Sequence, residues 1–417
     1  MSKNLIDRYI TTFSIIRGFL ISLLASSFIY LDYFNLSNRL LESIIAILFL
    51  YLLLKSNDNK VWFSSGVFIG LLWFWWIAIS FKYYGFPWAI PIGIFFISLV
   101  YGIIFLTISF LSNKFLKLYQ QLIFKSIFIL TASYIHPFGF DWFRFELIFV
   151  NSYFGVEKWQ MAIILLSISL YIYKSKLIFL FLTLLAFQPV IEDNKNNIDV
   201  SHIELTNTNI KIEDKWNRDS LDFQIYLVQN MINKAIDKKK EIIIFPESVL
   251  PLYLNQNYIL MDIFKEKSKN IAIVIGALRL QDDIPRNSTY IFNKGEIQTI
   301  ANKVILVPFG ESNPLPDWLG KWVNKIFYDG AIDYKASSEI SRYKINSVEY
   351  TNAICYEACS EELYKNNPKN MIVISNNGWF VSSIEPNLQK LILKFFNRKY
   401  GTTIYHSVNM SNSFIIK

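Results

Sequence analysis

Hydrophobic positions along the chain fall into two regimes. Up to about residue 190 they come in long blocks, at 10–31, 39–54, 61–81, 89–112, 119–138, 157–173 and 176–190. A helix that crosses a bilayer needs about 20 apolar residues, so these blocks predict seven spans, of which the second and the last two are short. The first block is too long, and too closely followed by others, to be a cleaved leader. From Ile198 onward short apolar runs alternate with polar stretches of helical period. Strands are predicted at His202–Leu205, Glu241–Phe245, Ile271–Leu278, Thr351–Ile354, Met371–Ser375 and Thr402–Val408, with helices near 219–238, 258–268 and 385–399. Thr289–Asn293 and Ile297–Ile300 read as a hairpin over Lys294-Gly295. This alternation predicts a layered α/β or α+β domain. The polar stretch Glu192–Asn197 marks the boundary, giving a transmembrane helical domain at 1–190 and a soluble domain at 191–417.

Composition sharpens this division. Of 417 residues 53% are hydrophobic and only 18% charged, against roughly 25% charged in soluble domains. Residues 1–190 hold 14 Lys and Arg against 7 Asp and Glu, a net of +7; the remaining 27 and 26 leave +1 for the rest. The basic excess therefore belongs to the apolar half and is no nucleic-acid footprint. With the N-terminus inside, the cytoplasmic connections carry Lys3, Arg8, Lys55, Lys60, Lys114, Lys117, Lys174 and Lys176, and the outer ones Arg39, Lys82, Arg144 and Lys158. Seven spans then deliver residue 191 to the outer side; six or eight would deliver it to the cytoplasm. The connections Tyr83–Trp88 and Pro137–Trp142 are rich in aromatics, which serve as interfacial anchors or line an entrance for lipid.

Candidate chemistry gathers where three apolar strands end. Ile242–Phe245 runs into Pro246-Glu247, Asn352–Ile354 into Cys355-Tyr356-Glu357, and Met371–Ile374 into Ser375-Asn376-Asn377-Gly378-Trp379. Ligand chemistry in layered α/β structures collects beyond the carboxyl ends of strands. A thiol with an ordinary pKa of about 8.5 needs a base and a nearby cation to act as a nucleophile at neutral pH. Glu247 and Lys303 supply them, Lys303 also facing a tetrahedral oxyanion, with the Tyr356 N–H as a second donor. Cys359 reads as packing, four residues being an unsuitable separation for a disulfide here. His202 and His406 are isolated. No metal site and no cofactor is called for.

Phe245-Pro246-Glu247-Ser248, Asn302-Lys303 with Leu306–Glu311, Ile354–Glu357 and Ser375–Phe380 together resemble the ordered signature of the nitrilase, or carbon–nitrogen hydrolase, superfamily. Joined to a multi-span bundle, they resemble the bacterial apolipoprotein N-acyltransferases over essentially the whole chain. The resemblance implies a membrane bundle fused to an αββα sandwich with a Glu247-Lys303-Cys355 triad. Cys355 would take the sn-1 acyl chain of a phospholipid, typically phosphatidylethanolamine, as a thioester. The α-amino group of a diacylglyceryl-cysteine on an apolipoprotein would then receive it. Glu311, Tyr356, Glu357 and Trp216 match further family positions, and together with Asn376 and Trp379 they are assigned supporting or substrate-binding roles. The implied place is the bacterial inner membrane, catalytic domain on the periplasmic side. The sequence departs from the family at its end, where a last pair of strands and a final span are expected after the region of Thr402–Ile416. Trp318–Tyr328 mixes bulky apolar residues with two lysines, suiting an interfacial arm or a segment packed on the domain.

Two other readings stay open: a membrane-tethered amidase using the same triad on a small C–N substrate, and a transporter or scaffold. The second would need ionisable residues at mid-membrane, and the spans offer little beyond Arg17 and Lys125.

Overall fold

A computed structural model describes residues 3–188, 200–312 and 334–417, with side chains from residue 11. Both the boundary stretch Glu192–Asn197 and the aromatic segment Trp318–Tyr328 lie outside the described residues. The chain divides into two compact units. The first comprises residues up to 137, then 141–192 and 382–395; the second comprises 138–140, 193–381 and 396–417.

In the first unit, α1 (Lys3–Tyr33), α2 (Arg39–Lys55) and α3 (Asn59–Phe74) are followed by α4 (Ile90–Ser112), α5 (Leu118–Thr131) and α6 (Lys158–Lys174). The starts of α2 and α3 are fixed by Asn38 and Asp58, whose side chains accept from the Leu41 and Lys60 amides. Among the described residues, four stretches are long and apolar enough to cross a membrane: Thr11–Tyr33, Asn59–Lys82, Pro87–Ser112 and Leu118–Gly139. The three remaining predicted spans correspond to helices of 17, 17 and 10 residues, the last a 3₁₀ helix at Leu177–Ala186. Trp62, Trp73, Phe74, Tyr101, Phe105 and Phe143 form a buried aromatic core. Gly66 lets α3 approach α4: a Cβ there would sit 2.5 Å from the Tyr101 carbonyl oxygen. Ile92, Phe95, Phe96, Ile103 and Phe110 on α4 are exposed, a continuous apolar face unusual for a water-soluble helix.

The second unit is built on two six-stranded sheets. The first contains β1 (Ile203–Leu205), β3 (Ile242–Ile244), β4 (Leu250–Tyr253), β5 (Ala272–Gln281), β6 (Ile284–Asn293) and β7 (Glu296–Asn302). Its order is β1-β3-β5-β6-β7, with β4 added on β5. The second contains β2 (Asn207–Thr208), β8 (Arg342–Ile345), β9 (Val348–Ile354), β10 (Asn370–Asn376), β11 (Thr403–Asn409) and β12 (Phe414–Ile416). Its order is β12-β11-β10-β9-β8, with β2 on β11. The predicted hairpin is β6–β7, turning on Lys294 and Gly295, both at positive φ as a tight two-residue turn requires.

Side-chain alternation divides each strand between two layers. Ile242, Ile244 and Val274 of the first sheet pack with Ile354, Ile372 and Ile374 of the second, forming the core between sheets. Ile243, Ile273 and Phe292 point the other way. There they meet Val228 and Ile232 of a helix at Leu221–Asp237 and Phe264 of another at Tyr258–Lys267. β10 and β11 are parallel neighbours, so they need a crossover, which the helix Glu385–Tyr400 supplies. The region Thr402–Ile416 holds a strand that the hydropathy pattern did not predict: β12 pairs antiparallel with β11 as an edge.

Candidate active site

The site lies where β3 of one sheet and β9 and β10 of the other end. β3 leads into the Pro246–Val249 turn, which carries Glu247, 7% exposed. That turn is pressed onto β5 at Gly276. A Cβ there would lie 2.6 Å from both the Pro246 oxygen and the Ser248 nitrogen, so no larger residue fits without moving Glu247. Glu247 Oε1 accepts from Asn287 Nδ2 at 2.7 Å, and Oε2 accepts from the Asn376 amide at 2.9 Å. The carboxylate thus joins the two sheets.

Lys303 follows the end of β7 and is 2% exposed. Its ammonium donates to Glu311 Oε2 at 2.7 Å and stands 3.7 Å from Glu247 Oε1. Asn287 ties the two acids together, donating to Glu311 Oε1 at 3.0 Å as well as to Glu247. Burial opposes charge on Lys303, but Glu311, Glu247 and Cys355 more than offset it and hold the ammonium above its ordinary value.

Cys355 closes β9 with φ at 55°, the left-handed region that non-glycine residues rarely adopt. Such strain costs of order 1–3 kcal/mol and persists where surroundings impose it. Here Glu357 does so: Oε1 accepts from the Ile354 amide at 2.7 Å, while Oε2 accepts from Val304 and Ile305 at 2.8 and 3.2 Å. One side chain therefore brackets the cysteine and braces the chain after Lys303. Burial pushes the Glu357 carboxyl up to about 7, against the pull of Lys303 and these amides.

Tyr356 is buried, stacks on Phe140 at 5.6 Å and donates to the Gly139 carbonyl at 3.3 Å. Phe138 packs against Phe309 at 5.9 Å. Asn376 starts a 3₁₀ turn over Asn377–Phe380 and accepts from Asn409 Nδ2 at 2.7 Å; Trp379 in that turn is half-buried. Trp216 stands apart in character, its ring 42% exposed.

Four residues near these were not singled out by sequence. Asn287, Tyr334 and Lys215 are polar residues whose burial is purely tertiary. Gly276 did carry a signal, since a glycine within a strand run marks close backbone approach. Lys215 is 1% exposed and donates to the Glu247 carbonyl oxygen at 2.8 Å. Burial pushes its ammonium down to about 8, although Glu247 and Cys355 pull the other way. Cys359 is fully buried, and neither cysteine is in a disulfide. His406 is also buried, its Nε2 2.7 Å from Ser375 Oγ, and burial holds its pKa at about 3.

A family model described as the apolipoprotein N-acyltransferase integral membrane domain matches residues 12–191. The apolipoprotein N-acyltransferase of Wolinella succinogenes is 38% identical to this chain, covering 95% of it and 94% of the relative. That of Campylobacter jejuni is 36% identical, covering 97% and 90%. Among solved structures, a CN-hydrolase superfamily protein of Xanthomonas campestris aligns with 52% of this chain and 82% of its own, at 12% identity and TM-score 0.38. On the strength of near full-length identity to these relatives, the chain is an integral membrane protein that belongs to the apolipoprotein N-acyltransferase family.

Proposed function

We propose that this protein transfers the sn-1 acyl chain of a phospholipid, phosphatidylethanolamine in the first instance, to the α-amino group of the diacylglyceryl-cysteine of apolipoproteins. Cys355 is the nucleophile, Glu247 the base and Lys303 the cation. Glu247 takes the thiol proton, and the sulfur attacks the ester carbonyl. The oxyanion that forms is stabilised by Lys303 and the Tyr356 N–H. Collapse breaks the ester C–O bond; the leaving alkoxide takes the proton back from Glu247 and departs as lysophospholipid, leaving a thioester. In the second half the amine attacks that thioester, Glu247 accepts its proton, and collapse releases the Cys355 thiolate with a new amide. The thiolate then recovers the proton held by Glu247.

The single observation that carries this reading is Lys303 held between Glu247 and Glu311 at the strand ends where Cys355 sits at positive φ. Glu311 keeps Lys303 charged, and Glu357 keeps the Cys355 turn and the Lys303 segment together. Asn376 orients Glu247, and Trp216 and Trp379 serve substrate binding. In this reading residues 1–190 carry the membrane spans and 191–417 the chemistry. The protein resides in the bacterial inner membrane with the catalytic part periplasmic, following the Lys and Arg bias when the three shorter helices count as spans beside the four long ones.

Mass spectrometry of a lipoprotein's N-terminal cysteine tests it. With the wild-type chain a third acyl group is expected, and with Cys355→Ala none. Incubation of purified protein with phospholipid should leave fatty acid bound as a thioester to Cys355. Hydrolysis of small amides with no such thioester would instead establish the amidase.

A further inference from the structure

We infer that Lys215 is a second cation of this site: a positioning residue that fixes the main chain carrying Glu247 and whose charge favours the thiolate of Cys355. The inference rests on the reading of Cys355 as nucleophile.

The segment bearing Lys215 is anchored to the sheet opposite Glu247's own. β2 pairs with β11, and Asn409 of β11 holds the next residues through both of its polar atoms: Oδ1 accepts from the Ile210 amide at 3.0 Å and Nδ2 donates to its carbonyl at 2.8 Å. A single helical turn follows at Ile212–Lys215. Ile212 seats against Gly378, where a Cβ would meet it at 3.1 Å. Gln224, itself 1% exposed, donates to the Lys215 carbonyl at 3.1 Å. From this base the Lys215 side chain reaches Glu247 O. The turn of the first sheet is thereby tied to the second by a contact independent of the Glu247 carboxylate.

A neutral donor would satisfy one carbonyl at far lower cost. Burying a lysine sacrifices rotamer freedom and strong hydration. The charged groups around Cys355 explain the choice. Glu247 and Glu311 with Lys303 leave a formal excess of one negative charge, a poor setting for a thiolate. Glu357, taken up by three main-chain amides, and Tyr334, whose phenol burial raises, bring no further cation to the site. The buried Lys215 ammonium, 2.8 Å from the Glu247 carbonyl oxygen, sets a second positive charge against that excess.

The test is alkylation of Cys355 by iodoacetamide against pH, on the full chain in detergent, read by mass spectrometry of the Cys355 peptide. Lys215→Met should raise the midpoint by about one pH unit. Lys215→Gln, which keeps a donor for the Glu247 carbonyl but no charge, should raise it equally. A wild-type profile in Lys215→Gln would overturn the electrostatic role. Should both variants fail to fold, the reciprocal measurement decides, since coupling between two sites is mutual. Cys355→Ala should lower the titration midpoint of the Lys215 Cε resonance, followed by NMR of the carbon-13 lysine-labelled chain in detergent, and an unchanged midpoint would overturn the inference. If wild-type Cys355 reacts no faster than Cys359, the nucleophile assignment fails and this inference with it. If Cys355 is reactive and the Lys215 variants leave its profile in place, only this inference fails.

Discussion

Lys125 in the helical unit and Lys303 in the sandwich are both buried, and their charges are compensated in different ways. In the helical unit Lys125 of α5 donates to the Ser56 carbonyl at 2.8 Å and to Asn57 Oδ1 at 2.6 Å, and its ammonium stands 5.5 Å from the Trp62 ring centroid. Ser56 caps the C-terminus of α2, where helix carbonyls carry partial negative charge. In the sandwich Lys303 lies between two glutamates. The first arrangement uses fixed dipoles and holds one helix end against another helix. The second uses groups that can gain and lose protons. Burial alone does not set these two lysines apart; the kind of partner does.

Four substitutions test that distinction, in order of expected effect. Lys303→Met should lower N-acylation turnover by about 10²- to 10³-fold, the usual range for losing an oxyanion partner, measured with a fluorescent phospholipid donor. Gly276→Ala should follow at about 10²-fold, because its Cβ displaces the Glu247 turn rather than any substrate contact. Lys125→Met should leave turnover per folded molecule unchanged while lowering unfolding stability by about 1–3 kcal/mol, the cost of stranding buried acceptors. Equal loss of turnover in Lys125→Met and Lys303→Met would erase the contrast between the two regions.

The smallest effect concerns Glu357. Its folded pKa lies above its ordinary value, so the folded chain keeps a proton that the unfolded chain releases. Its contribution to stability is full below 4.5, declines as pH rises through about 7, and is flat above. Thermal unfolding across that window should show this slope in the wild type and a flatter one in Glu357→Gln.

Much of this was legible in the sequence, for identifiable reasons. β3 and β10 are legible because runs of β-branched residues stop at polar segments carrying Glu247 and Asn376, and β9 because Ala353-Ile354 runs into Cys355. The four long spans followed from hydropathy, whereas the other three predicted spans are helices too short for the same criterion, as their block lengths had indicated. What hydropathy could not rank was Lys215 against Trp216. In a polar stretch the tryptophan draws attention and the lysine reads as solvated. On one short helical turn neighbours face different directions, and here the tryptophan is exposed and the lysine inside. Asn287 was invisible for a related reason: an amide in a strand has no pattern until two acids converge on it.

The grip of Glu357 has a mechanical consequence. A single side chain holds the amide before Cys355 and the two amides after Lys303, so the two residues share one brace. In the proposed reaction that shared brace would present sulfur and ammonium to every acyl chain at one spacing.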